Sequence, residues 1–145
     1  MSGLVGMIAG ARRIEYRQFV QVAAVTVAPG ITIVVPDALA ILLVYANSVY
    51  TASAVAGNRF FGWRVWDGVV SNVSLMGNTA IAANAVRQSS FGWQSPLAGV
   101  TSGQANEGLP VVPVLGANQI GSNVVGPDPA DTIGNVSVYF VVWLA

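Results

Sequence analysis

The sequence predicts an all-β chain: a β-sandwich or jelly roll over residues 19–145, behind an extended N-terminal arm of residues 1–18. Three observations carry this reading. Apolar runs of roughly five to ten residues recur about seven times, separated by Gly, Pro and Asn. Two of the separators are Pro29-Gly30 and Asp67-Gly68, dipeptides suited to the positive φ of tight turns. In addition, 54% of the 145 residues are hydrophobic and only 8% are charged, so strands must be covered on both faces. This length suits one domain.

In the arm, MSGLVGMIAG is too short for a secretory core and has its positive charges, Arg12 and Arg13, behind it instead of ahead, which reads as an intracellular origin. Arg12, Arg13 and Arg17 against Glu15 leave the cluster at net +2. It reads either as a solvated, salt-bridged segment or as an arm whose arginines pair with carboxylates of a neighbouring protein. Nucleic-acid binding would need a larger basic patch.

Ala28-Pro29-Gly30-Ile31 predicts a type II turn and a hairpin between FVQVAAVTV and ITIVV. Residues 38–58 contain no charge, and Leu39, Leu42, Leu43, Ala46, Val49, Tyr50 and Ser53 fit a helical stripe between Pro36-Asp37 and Gly57. A helix there would nearly cross a bilayer core of about 30 Å. Asn47, Ser48, Thr51 and Ser53 crowd its second half, however, so a strand at 39–46 is the adopted reading and a membrane span at 38–57 the alternative.

Trp66-Asp67-Gly68-Val69 predicts a type I′ hairpin joining FFGWRVW to VVSNVSL, in which Val69, Ser71, Val73 and Leu75 share a face. Between 76 and 108 the strand pattern lapses: Thr79 is positioned to cap a short helix through AIAANAVRQ, and SSFGWQSPLAGVTSGQANEG reads as a loop. Pro110 and Pro113 restrict LPVVPVL to an edge or irregular strand. The last run, NVSVYFVVWL, alternates Val136, Val138, Phe140, Val142 and Leu144 with Ser137, Tyr139, Val141 and Trp143, as a strand covered on both sides does.

Catalytic vocabulary is scarce. The chain has no His, Cys or Lys, so imidazole bases, thiolates, Schiff bases and the usual triads are excluded, and no phosphate-cradling or nucleophile-elbow motif is present. Asp128 and Asp131 in GPDPAD are the nearest candidates for a carboxylate pair or a calcium site. The prolines on both sides of Asp128 favour a rigid surface turn. The expectation is no enzyme, no cofactor and no metal. Phe61-Gly62-Trp63 recurs as Phe91-Gly92-Trp93, too little to make a repeat protein.

A folded monomer of this size exposes about 7,000 Å², of which twelve charged side chains cover roughly a fifth to a quarter. The rest must be neutral or apolar, and an apolar surface of that extent calls for a covering partner. With its Gly/Ala/Val-rich composition, N-terminal arm, hairpins VTVAPGITIVV and FFGWRVWDGVVSNVSL, and closing strand NVSVYFVVWLA, the chain resembles the small β-sandwich virion proteins of tailed bacteriophages. These include capsid decoration (cement) proteins and related minor head or tail proteins. The resemblance implies a homotrimer on the capsid surface that binds the major capsid protein and stabilises the shell, with the arm lacing to neighbours. Arg12, Arg13 and Arg17 are then the arm contacts, and Trp63, Trp66, Trp93 and Trp143 the aromatic anchors. A carbohydrate-binding or tail receptor module using Trp93 is a further alternative.

Overall fold

The computed structural model describes residues 13–35, 38–77, 80–92, 104–108, 114–115 and 118–144. Every regular element among them is a strand: β1 (Arg13–Gln21), β2 (Val25–Thr26), β3 (Thr32–Val34), β4 (Ala38–Thr51), β5 (Phe60–Trp66), β6 (Ser71–Met76), β7 (Val86–Gly92), β8 (Gln104–Gly108), β9 (Val114–Leu115), β10 (Gln119–Val125) and β11 (Thr132–Leu144). The expected all-β sandwich is what the chain forms. One sheet runs β1-β11-β4-β7-β8, with β2 also on β11 and β9 also on β4; the other runs β3-β10-β5-β6. Among the described strands only β7 and β8 pair in parallel.

The wiring is nested. Leaving aside β2 and β9, which pair off the main path of their sheet, and the parallel edge strand β8, the remaining strands pair first with last (β1·β11), second with seventh (β3·β10), third with sixth (β4·β7) and fourth with fifth (β5·β6). The two sheets enclose one core to which β4 gives Ile41, Leu43, Ala46 and Tyr50, β5 gives Phe61, Trp63 and Val65, and β11 gives Val136, Val138, Phe140, Val142 and Leu144. Phe61 is its aromatic centre, with ring centroids 5.6 Å from Tyr50, 5.9 Å from Trp63 and 6.2 Å from Phe91.

Several local expectations change. Pro29-Gly30 makes a turn, with Gly30 at φ +75° and its N–H donating to the Thr26 carbonyl, but not a hairpin. β2 belongs to the larger sheet and β3 to the smaller, so the turn carries the chain across the sandwich. Ser122 holds the far side of this corner: its Oγ accepts from the Ile31 N–H (2.9 Å) and its N–H donates to the Ile31 carbonyl (2.9 Å). The Asp67-Gly68 hairpin does form, but only Gly68 has positive φ. Asp67 Oδ1 instead accepts from the N–H groups of Val69 and Val70 at 2.8 and 2.7 Å, widening the loop to four residues in the manner of an Asx turn.

Residues 80–88 form no helix: Arg59 and Ile81 exchange backbone hydrogen bonds, Asn84 turns at φ +59°, and the chain enters β7. The loop expected over 89–108 has strands at both ends, β7 through Gly92 and β8 from Gln104. The 38–57 segment opens with the fourteen-residue β4, and no helix among the described residues is long and apolar enough to cross a membrane. The boundary expected at residue 18 falls within β1, which pairs with β11 without interruption from Arg13↔Leu144 to Gln21↔Val136.

Candidate interface

β1 ends the larger sheet, and nothing among the described residues pairs with its other edge. Its alternation sorts the side chains. Ile14, Tyr16 and Val20 point away from the core and are 51%, 86% and 55% exposed, whereas Phe19 packs on the core. Arg13, Glu15 and Arg17 share the side of Phe19. Glu15 takes both arginines: Arg13 Nε lies 2.9 Å from Oε1, and Arg17 donates from Nη2 (2.9 Å) and Nε (3.0 Å) to Oε2. Of the two readings of this cluster, the described residues display the salt-bridged one; Arg12 lies outside them.

Strand register extends the outer face inward in rows: Ile14–Trp143–Ala40, Tyr16–Val141–Leu42, Gln18–Tyr139–Tyr45 and Val20–Ser137–Asn47. The first two rows are apolar, and Ala40, Val141 and Trp143 form a small buried cluster with Leu42 and Val44 against it. The later rows turn polar. Gln18 Nε2 donates to the Tyr139 hydroxyl at 2.6 Å, and Asn47 Oδ1 accepts from Gln88 Nε2 and Ser90 Oγ at 3.4 and 3.3 Å. Between the two halves a cavity of about 310 Å³ is lined by Tyr16, Arg17, Val44, Tyr45, Tyr139 and Phe140.

The expected aromatic anchors do not converge. Trp143 belongs to the outer face of the larger sheet and is 9% exposed. Trp63 is fully buried in the core, because Phe61, Trp63 and Val65 are the inward positions of β5; this corrects its assignment as a surface anchor. Trp66 lies half-buried on the outer face of the smaller sheet, with the Arg64 guanidinium 3.9 Å above its ring. Gly121 makes room for this stack, since a Cβ there would stand 3.3 Å from Trp66 Nε1. Trp93 lies outside the described residues. Sequence reasoning took Glu15 only as a charge within the cluster and passed over Tyr16, although the two-residue period of Ile14, Tyr16, Val20 and Val22 was there to be counted.

GPDPAD also differs from expectation. Asp128 shapes a turn, but Asp131 is 0% exposed. Its carboxylate accepts from the Tyr50 hydroxyl (2.6 Å), the Ser53 N–H (2.7 Å), Arg59 Nε (3.0 Å) and the Asp128 N–H (2.9 Å). Arg59, 1% exposed, spends its other donors on the Gly57 carbonyl (2.7 Å) and Ser53 Oγ (3.1 Å). Burial pushes the Asp131 carboxyl up, but the backbone N–H groups of Asp128 and Ser53, the Tyr50 hydroxyl and Arg59 together hold it well below the usual carboxylate range. Burial, and then the adjoining Asp131, raise the Tyr50 phenol above its ordinary value. Both Asp131 oxygens are thus occupied by the protein's own donors, and the group pins the end of β4 to the segments that lead into β5 and β11.

No family model and no curated protein matches this chain. Among solved structures it is similar to a chain from the crystal structure of the T13 viral particle of IBDV, at 14% identity and a TM-score of 0.37. The alignment spans 92% of this chain and 32% of that one, and likeness at that level decides neither lineage nor function.

Proposed function

We propose that the chain is a structural virion protein of the decoration or minor-shell kind, without enzymatic activity, which self-associates and docks on a major capsid protein in the virion of a tailed phage. The observation that carries this reading is the nested pairing of first strand with last, second with seventh, third with sixth and fourth with fifth. We read this nesting as the wrap of a double-sheet jelly roll, an architecture shared by viral capsid domains, lectin domains and cupins.

Fold alone does not choose among these uses. The placement of charge favours the shell. Arg59 and Asp131 neutralise each other inside the sandwich, and Glu15 is committed to Arg13 and Arg17. Eleven large hydrophobic side chains are nevertheless exposed among the described residues. A surface depleted of free charge and supplied with apolar groups is what the buried part of a permanent interface requires.

The test is co-sedimentation of the purified protein with shells assembled from the major capsid protein of the same genome. Binding at a fixed stoichiometry, with shells that withstand higher temperature, is the expected result. Protein that stays in the supernatant at every ratio would overturn the proposal.

A further inference from the structure

We propose that β1 is a self-recognition edge: two copies join by antiparallel pairing of their β1 strands about a two-fold axis at Tyr16, merging their larger sheets into one. The contact deepens the self-association in the proposed function and rests on that part of it, not on the capsid. An unpaired strand edge presents a row of free backbone N–H and C=O groups, which a second strand satisfies. β1 offers nine residues of such edge, contains no proline, and carries Ile14, Tyr16 and Val20 on one exposed face.

Charge selects both the occupant and the register. Directly opposed residues in an antiparallel pair lie on the same face, and like charges there repel. Centring the axis on Glu15 would oppose Glu15 to the second copy's Glu15, and Arg13 to its Arg17. Centring it on Arg17 would oppose the two Arg17 side chains. An axis at Ile14 opposes Glu15 to Arg13, but overlaps only residues 13–15 of β1. An axis at Gln18 overlaps residues 15–21 but brings no opposite charges face to face, whereas with the axis at Tyr16 residues 13–19 overlap and Glu15 stands opposite the second copy's Arg17, twice by symmetry.

The same register makes the outer face continuous. The row Leu42–Val141–Tyr16 meets its own image at the axis, so an apolar belt crosses from one copy to the other. Ile14 of the second copy extends the row Gln18–Tyr139–Tyr45, beside the cavity of about 310 Å³. A self-complementary patch of this kind is isologous and closes as a dimer. It is therefore a two-fold contact, not the three-fold one that the family resemblance implies.

Complementary charge variants test the contact. In E15R every edge charge is positive, and the new guanidinium would oppose the second copy's Arg17. In R17E the new carboxylate would oppose the second copy's Glu15. Each variant alone is expected to dimerise at least about tenfold more weakly than wild type by sedimentation velocity, while an equimolar mixture recovers dimers, because both opposed pairs are then of opposite sign. As the chain has no cysteine, Tyr16→Cys should cross-link to itself under mild oxidation. Ile14→Cys should cross-link only when mixed with Gln18→Cys. These exposed positions keep the test valid even if a charge variant fails to fold.

A wild-type chain that stays monomeric at the highest concentration sedimentation allows, a trimer, a mixture that does not recover, or Ile14→Cys cross-linking alone would each overturn the proposal. Co-sedimentation of a monomer with shells would sink this contact and leave the capsid reading intact. A dimer that ignores shells would do the reverse.

Discussion

Asp131 shows how far one residue's role depends on its partners. Replacing it by Asn leaves the Arg59 guanidinium buried without a counter-charge, and Asp131→Asn is expected to cost about 3–5 kcal/mol in urea unfolding. Titration follows the same logic. A carboxyl held below its unfolded value of about 3.9 stabilises the fold fully above that pH, and the contribution is lost as pH falls below it. The Tyr50 phenol, raised above about 10, contributes fully below that pH and loses its contribution as pH rises beyond it. With no histidine in between, stability should be flat from about pH 5 to 9. Thermal melts across pH should show that plateau, with a weaker acid limb in Asp131→Asn. Trp63→Ala is expected to cost about 3–5 kcal/mol through the cavity it leaves in the core. Neither role was legible from residue type: Asp-Pro-Ala-Asp in a proline-flanked stretch looks like surface, and a partner 72 positions away cannot be seen locally.

Among the elements, β4 explains why 38–58 read as both helix and strand. Its register on β11 passes from Tyr45↔Tyr139 to Leu43↔Phe140, so Val44 is an extra residue. This bulge places Ile41, Leu43, Ala46, Ser48 and Tyr50 on one buried face, and the three-residue step from 43 to 46 imitates a helical stripe. β7 was hidden for another reason: its core-side positions are Arg87, Ser89 and Phe91, opposite Tyr50, Ser48 and Ala46, so the apolar alternation that marks a strand is missing. Runs whose alternation could be counted, β6 and β11, were legible from the start. The β5–β6 pairing depends on Gly62, where a Cβ would collide with the Leu75 carbonyl oxygen. Gly62→Ala is expected to cost more than about 4 kcal/mol, read as loss of soluble protein or of the cooperative melt. The first strand is equally testable. Removing residues 1–21 bares the flank of β11 and takes Phe19 from the core, so aggregation on heating is expected.

For the whole molecule, the sequence made the β class and the scarcity of charge plain, but not which surface needs a partner. That depends on which strands end a sheet, a property of long-range pairing. The pairing of β1 with β11 also bears on how the protein is made. β11 lies at the heart of the larger sheet, between β1 and β4, yet it is built from residues 132–144. On the ribosome β1 and β4 emerge before β11, which fills the gap between them. Until then the self-pairing edge of β1 has no sheet behind it to fix its register, and premature contacts between nascent chains compete with folding. Closing the sheet with β11 ties display of the β1 edge to synthesis of residues 132–144, so a chain that stalls before residue 132 lacks the template on which β1 is displayed.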